Sequence, residues 1–271
     1  MPASHTFLLD NGSLAPEATL GLRRLAADLA MRIGEQVAPV SLLHASAVPA
    51  EQLDGAPAEI FEPAVSRRCE AGQRSFVVVP LFFGPSRALT DYLPERIAHL
   101  RKKWPELQIR VAPAVRQPGD DRLARILADQ VRAVSPAPDR VALVDHGSPV
   151  REVTAVRDAL ARELAGLLGV AVAPCSMERR PEPEYDFNAP LLADLLNQPG
   201  WNSGEVVVAL QFFLPGRHAG PAGDVARICR EAEARHPGLR IRLTALLAGH
   251  PALVEILADR WKAGLESGKR G

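Results

Sequence analysis

The chain has 271 residues, 47% of them hydrophobic, which fits one large domain or two modest ones with real cores. Its 32 Lys and Arg balance 32 Asp and Glu, so no bulk field directs it to nucleic acid or to an anionic membrane. No apolar run is long enough to span a bilayer, residues 1–5 carry no basic-then-apolar leader, and Cys69, Cys175 and Cys229 are odd in number and widely spaced. A cytoplasmic protein is the expectation.

Short apolar runs alternate with helical periodicity along the whole chain. The first half predicts a strand over Thr6–Asp10, a helix over Glu17–Gln36, a strand over Pro39–His44 and a helix over Ala58–Ala71. A strand over Ser75–Phe82, a helix over Leu89–Lys103, a strand over Leu107–Ala112 and a helix over Asp120–Val134 follow. The helices rest on apolar recurrence at three and four residues, as in Leu22, Leu25, Leu29 and Ile33; the strands rest on runs such as Phe76-Val77-Val78-Val79.

The segment Ser135-Pro136-Ala137-Pro138-Asp139 reads as a hinge. Beyond it the pattern repeats: strand Arg140–Asp145, helix Arg151–Leu168, strand Val170–Cys175, helix Ala189–Asn197. Strand Glu205–Phe212, helix Pro221–Arg235, strand Arg240–Ala245 and helix Pro251–Lys262 complete it, with the residues after Lys262 expected to fray. The fold class expected is α/β: two similar lobes, over 1–135 and 139–271, with a cleft between them. Each is a parallel four-stranded sheet flanked by helices in a flavodoxin-like three-layer arrangement.

The two halves are edited copies. Leu143-Val144-Asp145-His146-Gly147-Ser148 mirrors Leu8-Leu9-Asp10-Asn11-Gly12-Ser13, and Phe213-Leu214-Pro215-Gly216-Arg217-His218 mirrors Phe83-Gly84-Pro85-Ser86-Arg87-Ala88. A third block, from Trp104 to Val111, matches His236 to Leu243; the three offsets are 135, 130 and 132 residues. The second copy has His where the first has Asn11 and Ala88.

In open parallel sheets ligands sit beyond the carboxyl ends of the strands. His146, then Met177 and Glu178, then His218 follow three successive strands of the second half. A lone His in such a loop is ordinarily a loop or capping residue, and a lone Glu a solvated charge. The joint pattern, absent from the first half, suits a divalent cation held by two imidazoles and a carboxylate with coordination positions left open.

These residues resemble a family. Val144-Asp145-His146-Gly147-Ser148, Met177-Glu178, the segment from Phe213 to His218, and Ala248-Gly249-His250-Pro251-Ala252-Leu253 are similar to the sirohydrochlorin chelatases, a class of tetrapyrrole metal chelatases. The resemblance is strong over 140–262 and fainter over 6–134. It implies a lyase-type enzyme that inserts a divalent metal, Co2+ or Fe2+ with Ni2+ a further candidate, into a sirohydrochlorin-type tetrapyrrole. No permanently bound cofactor is implied. It carries the metal ligands over to His146, Glu178 and His218, and with them the catalytic work. Unperturbed imidazole titrates at about 6.5, so neutral His can ligate near neutrality; Glu178 is one candidate to accept a pyrrole proton, and the alternative is that coordination and proton removal use the same residues in turn.

Sirohydrochlorin carries eight carboxylates by the same resemblance, so substrate contacts are expected from Arg179, Arg180, Arg217 and the first-half equivalent Arg87. The Gly12-Ser13 and Gly147-Ser148 amides are further carboxylate receivers, with capping the alternative role of Ser13 and Ser148. His44 is read at the position of Glu178, and His250 as a structural residue opening the last helix. The first half, with Asn11 and Ala88, is not expected to insert metal.

Cobalt insertion serving cobalamin synthesis is the favoured reading, and ferrochelatase activity for sirohaem the nearest alternative. A non-catalytic metal or tetrapyrrole carrier is the reading from another class. A periplasmic-type sugar binder fits poorly with 5% aromatics. The expected partners are a small tetrapyrrole and a metal ion, with no nucleic acid or membrane, on a monomer.

Overall fold

The computed structural model describes residues 4–266. Among these described residues eight strands alternate with eight α-helices. The first half runs β1 (His5–Asp10), α1 (Pro16–Ile33), β2 (Val37–Ser41), α2 (Phe61–Glu70), β3 (Ser75–Pro80), α3 (Leu93–Lys103), β4 (Gln108–Val111) and α4 (Arg122–Val134). The second runs β5 (Val141–Asp145), α5 (Arg151–Leu168), β6 (Val172–Ser176), α6 (Leu192–Leu195), β7 (Gly204–Leu210), α7 (Asp224–Arg235), β8 (Leu239–Leu243) and α8 (Pro251–Glu266). Among the described residues no helix is long and apolar enough to cross a membrane.

The strands form two four-stranded parallel sheets, ordered β2-β1-β3-β4 and β6-β5-β7-β8. The orders are the same under the duplication. Both faces of each sheet are covered, which is why Phe76, Val77, Val78 and Val79, like Val206, Val207 and Val208, are fully buried. α1 and α5 end alike, at Gly34 and Gly169 in the left-handed conformation, each glycine donating its N–H to a carbonyl four residues back.

The packed units do not follow the expected cut at 135–139. One unit runs to Gln117 and resumes at Val254; the other runs from Pro118 to Leu253. So α4, expected with the first lobe, packs in the second unit: Arg132 donates to the Leu167 carbonyl at 2.7 Å and Gln130 to that of Leu246 at 3.0 Å. Most of α8 packs in the first unit. Trp261 Nε1 donates to Thr6 at 3.0 Å, Arg260 reaches the Val115 carbonyl at 2.9 Å, and a Cβ on Gly264 would lie 3.0 Å from Ala112. Partner choice between an amphipathic helix and a sheet is set by side-chain fit, which local periodicity does not carry.

Two local differences bear on the site. β2 ends at Ser41, three residues before the expected end at His44; Leu42 and Leu43 are apolar but already belong to the loop, their N–H groups donating to Asp10 and Asn11. The last helix continues past Lys262 to Glu266, so fraying of 263–266 is not seen, and residues 267–271 lie outside the described residues.

Candidate metal site

The three ligand candidates of the second half stand just beyond β5, β6 and β7. His146 is the first residue after β5. Gly147, at φ +92°, turns the chain so tightly that a Cβ there would fall 1.9 Å from the Glu178 carbonyl oxygen. Glu178 N–H donates to the His146 carbonyl at 3.2 Å. This close crossing of two loops sets His146 Nε2 3.5 Å from Glu178 Oε1.

The first half repeats the crossing: a Cβ on Gly12, φ +88°, would fall 1.8 Å from the Leu43 oxygen, and Leu43 N–H donates to Asn11 at 3.1 Å. Leu43, not His44, is therefore the counterpart of Glu178. The expected equivalence was one residue out because the loop starts earlier than the apolar run suggested. His44 is exposed, at φ +64°.

His218 comes from the loop after β7, and its ring centre lies 4.6 Å from that of His146, the planes crossing at 72°. Each imidazole spends its Nδ1 on an acceptor: His146 on the Gly147 carbonyl at 2.9 Å, His218 on Asp224 Oδ2 at 2.8 Å. A carbonyl or a carboxylate can only accept, so in the neutral rings Nδ1 carries the proton and Nε2 the free lone pair. The hydrogen bond from His218, helped by Arg227, holds the Asp224 carboxyl below the usual carboxylate range. Glu178 is 59% exposed and His146 47% in the side chain, so both are open to solvent. Among the described residues no group of three or more His, Cys, Asp or Glu is close enough together to hold a metal ion as it stands, so the three candidates here approach one another in pairs.

Beneath the loops lies a polar cluster that sequence reasoning missed. The Arg157 side chain, 2% exposed, donates to Ser176 Oγ at 2.6 Å and to the Asn188 carbonyl at 3.0 Å, and stands 3.9 Å from Asp145. Asp145 accepts from Ser176 at 2.6 Å and from Gly147 N–H at 3.1 Å; burial raises its carboxyl above the ordinary aspartate value, against the pull of Ser176 and Arg157. Buried Asn188 takes the Ser148 N–H at 2.9 Å and the Thr154 hydroxyl at 3.1 Å. The cluster ties both ligand loops to α5. Its signal in the sequence is a charged residue on an apolar stripe, since the copy of Arg157 in α1 is Leu22.

This bonding corrects one expectation. The Gly147 and Ser148 amides are taken by Asp145 and Asn188, so they do not stand open to a carboxylate. Ser148 Oγ and Ser13 Oγ accept from Val150 and Ala15 two residues on, at 3.0 and 3.1 Å, as local turn residues rather than helix N-caps. Arg179 pairs with Asp186 at 3.1 Å, and Arg180 lies over the Tyr185 ring at 5.3 Å. Arg217 is 85% exposed, its Nε 4.0 Å from Asp224, and Arg87 is exposed at the equivalent place in the first half. His250 accepts from Ala252 N–H at 3.2 Å and faces Asp129 at 3.5 Å, a helix-opening role. Cys175 is fully buried and its thiol pushed far up by desolvation, so it is inert.

Comparison with known proteins bears on the same half. Residues 140–263 match the CbiX family model. Among solved structures, SirB from Bacillus subtilis with Fe3+ aligns at a TM-score of 0.71 and 17% identity, over 98% of each chain. The sirohydrochlorin chelatase SirB from Bacillus subtilis subspecies spizizenii in complex with cobalt aligns at 0.72 and 16%, over 98% of this chain and 97% of that one. CbiX, described as the terminal enzyme for biosynthesis of siroheme in denitrifying bacteria, aligns at 0.60 and 19%, over 96% and 98%. At these identities the likeness is one of fold. A search of curated proteins returned no match.

Proposed function

We infer, from a chain whose residues 140–263 belong to the CbiX family, that this protein is a sirohydrochlorin metal chelatase, with Co2+ as the favoured substrate ion and Fe2+ the alternative. The observation that carries the reading is the pair of imidazoles 4.6 Å apart, each tied at Nδ1, beside the carboxylate of Glu178. Nothing in the first half repeats it: Asn11, Leu43 and Ala88 stand at the three positions.

The chemistry follows from that arrangement. Insertion exchanges two pyrrole protons for one divalent cation. His146 and His218 offer Nε2 lone pairs to the cation from one side and replace part of its water shell. Glu178 offsets its charge and accepts the two pyrrole protons in turn, passing each to water from its exposed position. Three protein donors leave coordination positions open, unlike a closed structural site, as release into the macrocycle requires. Arg217, on the loop beside His218, offers its exposed guanidinium to a substrate carboxylate.

The test is metallation followed by absorbance, with purified protein, sirohydrochlorin and Co2+ or Fe2+. Acceleration over the spontaneous background is expected, lost by about 100-fold or more in His146→Ala and His218→Ala, since losing a ligand costs more than losing its support. Asn11→Ala keeps the parent rate. Binding of metal and tetrapyrrole with no acceleration would make the protein a carrier instead, and full activity in both His variants would refute the site.

A further inference from the structure

Asp224 is not a donor in the proposed site, yet everything around it fixes its place. It is the first residue of α7; its N–H donates to the Arg217 carbonyl at 3.1 Å, and Val225 N–H donates to that of His218 at 3.1 Å. Gly223 lets the chain close this knot, because a Cβ there would fall 2.8 Å from the His218 carbonyl. Arg227, one turn on, holds Asp224 Oδ1 at 3.2 Å, which leaves Oδ2 for His218 Nδ1 at 2.8 Å. The acceptor is therefore stationary before any ion arrives.

The duplication supplies an internal control. Trp104 and His236 are the residues just past α3 and α7, and the first buried residues of the two helices are Leu93 and Val225, which sets Tyr92 opposite Asp224. Ala88 stands opposite His218. Where the imidazole is absent the carboxylate is absent too, and Ala88 and Tyr92 pack instead against the apolar cluster of the first sheet. The equivalent helix needs no acid at this place, since Tyr92 closes a π-helical turn, Ala88–Tyr92, that runs straight into α3. The contrast with His146 is informative: its Nδ1 is held by a backbone carbonyl, which no substitution removes.

We propose that Asp224 is a positioning residue: by accepting the Nδ1–H of His218 it fixes the tautomer and ring angle that present Nε2 to the metal substrate. The claim rests on the chelatase reading for its purpose but not for its geometry. Carboxylate partners of ligating histidines act this way in metal sites generally, and losing one typically weakens metal binding 10–100-fold.

The experiment uses the full chain at pH 8. Long-range proton–nitrogen NMR of the imidazoles reads the tautomer without metal, and Co2+ titration reads affinity. In the parent, His218 is expected as Nδ1–H. In Asp224→Ala, and in Asp224→Ser, which suits a helix start but falls short of the ring, it should shift toward Nε2–H while His146 stays unchanged. Co2+ affinity should fall about 10–100-fold in both. Asp224→Asn, which keeps an accepting oxygen, should retain the tautomer and recover most of the affinity. A His218 that remains Nδ1–H in whichever of the Ala and Ser variants folds, or Co2+ affinity within about twofold of the parent there, overturns the proposal. A parent that binds no Co2+ at the histidines sinks the chelatase reading instead, and the tautomer shift still decides the role of Asp224.

Discussion

Leu22 on α1 stands where Arg157 stands on α5, each twelve residues ahead of the glycine that ends its helix. Asp145, at the end of β5, therefore has a buried guanidinium 3.9 Å away, while Asp10, its copy at the end of β1, has no ion-pair partner among the described residues. Burial pushes the Asp10 carboxyl up to about 6, although Ser41 and the Gly12 amide pull the other way.

That carboxyl links stability to pH. Against the ordinary value of 3.8, the folded chain between about pH 4 and 6 holds a proton that the unfolded chain has released. The contribution is full below the unfolded value and lost as pH rises through about 6. Asp10→Asn is thus expected to exceed the parent in stability at pH 7.5, by up to about 3 kcal/mol, with the gap closing toward pH 4. Urea unfolding of both proteins across this range checks it; a gap independent of pH refutes it.

Arg157→Leu places in the second unit the residue that the first already carries. It strips donors from Ser176 and the Asn188 carbonyl and leaves Asp145 without its cation. Breaking a buried pair from one side costs about 3–5 kcal/mol, so a clear fall in the urea midpoint is expected. Co2+ affinity should fall as well, because the same cluster anchors the loops of His146 and Glu178. An unchanged midpoint would mean that the cluster contributes nothing to folding.

Gly147→Ala and Gly12→Ala make a matched pair. Each forces a Cβ to within 2 Å of a carbonyl oxygen across the loop crossing, at positive φ. Both should lose about 1–3 kcal/mol of stability from the strained backbone. Only Gly147→Ala should also weaken Co2+ binding, by about tenfold or more, since only there does the crossing join two ligand candidates. Calorimetric titration of both variants separates the two effects, and equal Co2+ affinities would count against the site.

Arg217→Ala should weaken tetrapyrrole binding more than metal binding. Its guanidinium is exposed and comes no nearer than 4.0 Å to Asp224, so it can meet a substrate carboxylate without being part of the metal's donor set. Fluorescence titration with sirohydrochlorin, beside a Co2+ titration, reads the two affinities; an unaltered macrocycle curve refutes the role.

Much of this architecture was legible in the sequence because parallel sheets and amphipathic helices write distinct periods. The bounds of α5 coincide with those expected, and the change of offset from 130 to 132 residues after His218 already marked the longer loop that makes room for Gly223. What escaped had no period. Arg157 is one of several charges on its helix, and only its copy, Leu22, marks the position as internal. Asp224 opens a helix, where acidic residues are common whatever their role. The true register of Leu43 depends on a backbone hydrogen bond to Asn11, which no side-chain pattern reports.

The terminal helices bear on how this chain can be divided. A nick between Ser135 and Asp139 would not yield two self-sufficient halves: the upstream fragment would keep α4 without the sheet it covers, and the downstream fragment would keep α8 likewise. Truncations drawn at the repeat boundary would thus leave an apolar helix face uncovered in each fragment, so an excised fragment should be cut at 118 and 253 instead.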